Sequence, residues 1–161
     1  MISILYTLLI FVDSMCLWPY YCAPMSVASF PKTVEPLKMV DQRVDLQGWI
    51  SLKQLDRVQD YLLDNSGKVE VKLRFDKDEI GVRFIAGSIQ ADVLMECQRC
   101  LQPTPIELKS DFKLGIVFSE EAAKNLPGYY DPLLLESELD LWQMVEDELI
   151  LCLPISVTHP K

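Results

Sequence analysis

The chain has 161 residues and 18.5 kDa, is half apolar, and carries a net charge of −9 with a pI near 4.6. That length suits a single domain with a self-sufficient core, and the apolar content excludes a disordered tail. The acidic balance excludes a general nucleic-acid coat protein, because such binding relies on Lys and Arg displacing counterions from phosphate; an acidic face fits a basic partner instead.

Met1 to Tyr21 is apolar and aromatic, and Ile2 to Val12 has the look of a signal-peptide core or short anchor. Neither fits well. No Lys or Arg precedes Lys32, Asp13 interrupts the run, and the run falls short of the roughly 20 residues that a span needs. Met25 opens a more ordinary soluble start. The expectation is an extension over residues 1–24, arising from a misplaced start codon, ahead of a single domain at 25–161; a weak membrane anchor is the alternative. Five cysteines, an odd count with only one close pair, suit a reducing cytosol and hence a cytoplasmic protein outside the membrane.

Lys32 to Asp45 carries Pro36 and alternates loosely, which predicts an edge strand or extended arm. Ser51 and Gln54 form a capping box, and Leu52, Leu55, Val58 and Leu62 follow at helical spacing, with Asn65-Ser66-Gly67 as the stop. An amphipathic helix is predicted there, with a packing role.

After Gly67 the period becomes two. Val69, Val71, Leu73 and Phe75 point one way and Lys68, Glu70, Lys72 and Arg74 the other. A polar turn at Asp76–Glu79 leads into Ile80, Val82, Phe84 and Ala86. The alternation then resumes out of phase after Gly87-Ser88 with Ile89, Ala91, Val93 and Met95, a slip that predicts a β-bulge. Ile106, Leu108, Phe112, Leu114, Ile116 and Phe118 continue the pattern. The middle therefore reads as an antiparallel sheet with one buried face and a mixed-charge solvent face.

Between two of its longest strands lies Cys97-Gln98-Arg99-Cys100. This spacing lets both sulfurs reach one tetrahedral ion; it also suits a redox dithiol, and a cysteine is often only a small buried hydrophobe. Redox is disfavoured because Pro103 and Pro105 follow with no helix start to activate a thiol. The candidate zinc set is Cys97, Cys100 and the single histidine, His159, which leaves a fourth ligand to be found. Arg99, held outward between the thiols, is a candidate contact for phosphate or carboxylate.

Ser119 to Leu135 reads as a polar connection with one helical turn near Glu120 to Asn125. Ser137 and Asp140 are good N-caps for a last helix whose apolar face is Leu141, Met144, Val145 and Leu149, ended by Pro154. Glu146, Asp147 and Glu148 sit in its second half, where the helix dipole disfavours each anion by about 0.3–1 kcal/mol. A cationic partner rationalises them; a solvated acidic face is the plainer alternative. The expected fold class is α+β: an antiparallel β-sheet core with one N-terminal and one C-terminal helix packed on it.

The run Cys97-Gln98-Arg99-Cys100-Leu101-Gln102-Pro103, followed by Asp140-Leu141-Trp142-Gln143-Met144-Val145-Glu146-Asp147-Glu148-Leu149-Ile150-Leu151-Cys152-Leu153-Pro154, closely resembles the bacterial YceD family of large ribosomal RNA subunit accumulation proteins. The likeness extends from about Phe30-Pro31, through Asp45-Leu46-Gln47-Gly48, to His159, and begins just after Met25. The resemblance implies a non-enzymatic role in synthesis, processing or stability of 23S ribosomal RNA. It also implies as partner the large-subunit precursor, meaning the RNA, a small basic ribosomal protein, or both. Glu146, Asp147, Glu148 and Arg99 are the candidate contacts. Family members usually continue past the position of His159 with a stretch that often includes a cysteine, whereas this chain stops at Pro160-Lys161, so the resemblance supplies no fourth ligand; Cys152 matches no family cysteine and reads as core. Two other readings are a small zinc module and an RNA-processing nuclease. Against the nuclease, no convergent carboxylate set, Ser/His pair or phosphate-cradling glycine loop appears.

Overall fold

A computed structural model describes residues 30–159; the extension at 1–24, with Cys16 and Cys22, lies outside the described residues. The elements in order are β1 (Thr33–Val34), α1 (Pro36–Gln42), β2 (Asp45–Ser51), a 3-10 turn (Leu52–Gln54), α2 (Asp56–Gln59), β3 (Lys68–Lys77), β4 (Arg83–Glu96), β5 (Pro103–Val117), α3 (Glu120–Lys124), β6 (Asp131–Leu134), β7 (Leu139–Asp140) and α4 (Leu141–Cys152). The main sheet runs β2-β3-β4-β5-β6, and β1 pairs with β7 in a separate two-stranded sheet.

This corrects the expected fold class in three respects. The sheet is mixed, because β6 joins β5 in parallel. A parallel neighbour needs a crossover, and α3 with the loop up to Tyr130 supplies it. The helix predicted after Ser51 is broken into the 3-10 turn and the four-residue α2. Ser51 does receive Gln54 as expected, its N–H donating to Gln54 Oε1 at 3.3 Å. However, the free N–H groups of Arg57 and Val58 donate to the Glu146 carboxylate of α4, at 2.7 and 3.3 Å, so α2 begins afresh at Asp56. Thirdly, Lys32 to Asp45 is no extended arm: it holds α1, with Pro36 in the first turn, where a missing N–H is harmless, and Arg43 in the left-handed region as its C-terminal stop.

β3, β4 and β5 follow the alternating pattern. Val69, Val71, Leu73 and Phe75 are buried against Val40 of α1, Val58 of α2 and Leu141, Val145 and Leu149 of α4, while Lys68, Glu70, Lys72 and Arg74 face solvent. The expected β-bulge is not formed. β4 keeps one register with β3 and with β5 straight through Gly87, which pairs with Leu73 and Phe112. Gly87 faces inward in phase with Ile85 and Ile89, and the Phe112 ring lies where its Cβ would be, with Leu73 Cδ2 2.8 Å from that point. Ile80 and Val82 belong to the β3–β4 turn, where Gly81 has φ 94° and Asp78 Oδ1 accepts from the Val82 N–H at 2.7 Å.

Asp140 caps α4, accepting from the N–H groups of Trp142 and Gln143. Trp142 Nε1 donates to the Phe30 carbonyl at 3.1 Å, and Leu141 N–H to that of Lys32 at 2.8 Å, so the first and last described segments are stitched together. Among the described residues, no helix is long and apolar enough to cross a membrane.

Candidate functional site

The Cys97–Cys100 turn joins the two longest strands, β4 and β5. Cys97 N–H donates to the Gln102 carbonyl at 3.0 Å and Leu101 N–H to the Cys97 carbonyl at 2.8 Å, which closes a tight corner. Leu101 has φ 57°, a left-handed conformation that costs a non-glycine residue about 1–2 kcal/mol and persists only where surroundings impose it. Cys97 is buried; Cys100 and Arg99 are exposed.

After α4 the chain turns at Pro154 and runs back to this corner. Gln98 N–H donates to the Val157 carbonyl at 3.0 Å, its side-chain amide to the Ile155 carbonyl at 3.4 Å, and Val157 is buried in the core. His159 is thereby carried to the thiols. One donor atom from each of Cys97, Cys100 and His159 lies within 4.8 Å of the others, with Cys100 Sγ and His159 Nε2 at 3.9 Å. Thr104, buried in β5, sets its hydroxyl 3.1 Å from His159 Nδ1 and 3.4 Å from the Gln102 carbonyl. Thr104 was absent from the sequence-based set. It occupies the inward phase of β5 two residues before Ile106, and a polar residue at an inward position is the signal that points to it.

The N–H groups of Arg99 and Cys100, with that of His159, hold the Cys97 thiol down to about 6, against an opposing push from burial. A folded-state value below the ordinary thiol value means that the thiolate stabilises the fold. That contribution is complete above the unfolded thiol's pKa and is lost as pH falls through about 6. The reduced, metal-free protein is therefore expected to gain melting temperature between about pH 6 and about pH 9. In Cys97→Ala that rise should flatten, while an equal rise in both proteins would refute the assignment.

The acidic helix is arranged differently from the expectation of three outward carboxylates. Glu146 is buried; besides capping α2, it accepts from Arg57 Nε at 3.0 Å. Asp147 is exposed and pairs with Arg57 Nη2. Glu148 is half-buried, and burial, followed by the nearby charges of Asp131 and Asp147, pushes its carboxyl above the usual range. The outward acidic group is thus Asp131, Asp147 and Glu148. Arg99 stands apart from it, on the cysteine corner. Cys152 is half-buried against the core, and its thiol donates to the Glu148 carbonyl at 3.0 Å.

Comparison with known proteins bears on the same segments. Residues 85–161, from β4 through the cysteine corner and α4 to the C-terminus, match the family model described as "Large ribosomal RNA subunit accumulation protein YceD". A curated protein of that name from Haemophilus influenzae is 34% identical over 137 residues, covering 84% of this chain and 79% of its own length. No solved structure gives a significant match.

Proposed function

The chain belongs to the YceD family, and from that premise we propose that it promotes accumulation of the 23S ribosomal RNA of the large subunit in the cytoplasm, as a binding factor without covalent chemistry. The observation that carries this reading is the relationship to the Haemophilus influenzae protein over most of both chains. The partner is the large-subunit precursor, met through a basic ribosomal protein. The net charge of −9 supports a cationic protein partner over direct contact with phosphate. Asp131, Asp147 and Glu148 are the contact that remains once Glu146 is turned inward. The Glu148 carboxyl is raised first by burial and then by the charges of Asp131 and Asp147, and a Lys or Arg side chain settling among them offsets that repulsion. Arg99, exposed on the corner, is a separate contact for a carboxylate or phosphate of the same particle.

The test is sedimentation from cells making either the wild-type protein or an Asp131→Asn/Asp147→Asn/Glu148→Gln variant. Wild-type protein is expected to travel with precursor large-subunit particles, and the variant to remain at the top of the gradient while still folded by circular dichroism. A variant that still co-sediments would remove the acidic contact. Loss of the protein is expected to lower 23S relative to 16S RNA, and unchanged RNA levels would sink the functional reading itself. Purified protein incubated with precursor RNA and Mg²⁺ should leave the RNA intact; cleavage would make it an enzyme.

A further inference from the structure

The cysteine corner and the returning C-terminal tail have a chemistry that the ribosomal reading does not use. We propose that Cys97, Cys100 and His159 bind one thiophilic divalent cation of the zinc type, that Thr104 orients the imidazole, and that the ion fastens the tail to the β4–β5 corner. The proposal rests on geometry alone and stands whether or not the protein acts on ribosomes.

Three observations converge. The donor atoms come from two segments far apart in sequence, yet lie within 4.8 Å of one another, and the Cys100–His159 pair is at 3.9 Å. Ligand atoms around a tetrahedral zinc sit about 3.5–3.8 Å apart, so small side-chain rotations complete the set. The turn also has the shape that a metal-held corner requires. The Cys97 N–H donates to the Gln102 carbonyl and the Leu101 N–H to the Cys97 carbonyl, while Leu101 takes the left-handed conformation, so the corner that carries both cysteines is closed by its own backbone.

The third observation is Thr104. Its hydroxyl is buried, and its hydrogen-bonding neighbours are the Gln102 carbonyl and the imidazole. With the imidazole proton on Nδ1, His159 donates to Thr104 Oγ1 and Thr104 donates to the Gln102 carbonyl. Nε2, which lies 3.4 Å from the same hydroxyl and 3.9 Å from Cys100 Sγ, is then left unprotonated and free to ligate. An outer hydrogen bond that fixes the tautomer of a ligating histidine is the usual support of a zinc site. Thr104 is therefore a positioning residue and touches no ion itself. Cys100 and His159 are exposed, so the fourth position opens toward solvent and takes water or a ligand from outside the described residues.

The experiment is titration of the full, reduced, chelator-treated chain with cobalt(II) alone, followed by zinc(II). One equivalent should bind with the visible bands of a tetrahedral ion and the ultraviolet charge-transfer band of two thiolates, and zinc should displace it. Cys100→Ser, an exposed position that leaves the core untouched, should weaken binding by more than about a hundredfold; Thr104→Val should weaken it by about ten- to a hundredfold. His159→Ala should shift the visible bands even where cobalt is still held. Absence of tetrahedral bands in wild-type protein with correctly folded circular dichroism overturns the proposal. Unaltered bands in His159→Ala would equally overturn the three-ligand site, and unaltered affinity in Thr104→Val would overturn the orienting role.

Discussion

Glu146→Ala is expected to lower the free energy of unfolding by about 3 kcal/mol, more than any other single charge removal in the described fold. The buried carboxylate accepts two backbone N–H groups, from Arg57 and Val58, in addition to Arg57 Nε. Truncation leaves both N–H groups unpaired at the start of α2, beside a fully buried Val58. A charge-assisted bond contributes about 1.5–3 kcal/mol, and an orphaned buried donor costs a similar amount. Removing the cation should matter far less. The Arg57 side chain is 49% exposed, so solvent screens the pair and Arg57→Ala is expected to lose about 1 kcal/mol or less. Glu146→Gln keeps an acceptor and should fall between the two. Urea unfolding, read as a shift of midpoint at constant slope, separates them. If Arg57→Ala proves as damaging as Glu146→Ala, the ion pair rather than the helix cap holds α2 to α4.

Gly87→Val is expected to destabilise by a comparable amount, about 3 kcal/mol, through overpacking. A Cβ at Gly87 would overlap the Phe112 ring and stand 2.8 Å from Leu73 Cδ2, and both neighbours belong to strands paired with β4 on either side. Neither strand can withdraw without breaking its ladder. The ring itself can be shortened: in Gly87→Val/Phe112→Leu the two changes should couple favourably, recovering about 1 kcal/mol or more relative to their sum. Strict additivity in that double-mutant cycle would show that the ring and the glycine do not compete for the same space.

The same glycine explains one error of the sequence reading. An inward glycine contributes no apolar side chain, and the neighbouring Phe84 and Ala86 are apolar on the opposite face, with Phe84 against Tyr130, so the alternation looks shifted where the strand is in fact continuous. β3 and β5 were legible because their pattern is local: each inward residue is apolar and each outward one polar. What governs α2 is not local. Leu52, Leu55 and Val58 fit a helical stripe and an interrupted turn equally well, and the choice is made by a carboxylate that lies 89 residues away from Arg57 in sequence. β6 is of the same kind, since nothing in Asp131-Pro132-Leu133-Leu134 announces a parallel partner in β5. Pro36, which with the loose alternation around it predicts an edge strand or extended arm, instead opens α1. At the candidate site, the two thiols and His159 could be named from residue type and spacing. Thr104 behind the imidazole and the inward turn of Glu146 depend on how the tail and α4 dock.

The stitching of β1 to β7, and of Phe30 to Trp142, has a consequence for how the molecule is made. During synthesis the hairpins of β3, β4 and β5 emerge long before α4, so the part of their apolar face that α1 and α2 do not cover stays open until Leu141–Cys152 leaves the exit tunnel. The nascent chain is therefore sticky for most of its birth and closes in one late step. Any pause or truncation ahead of Leu141 would leave a sheet prone to aggregate rather than a smaller folded protein.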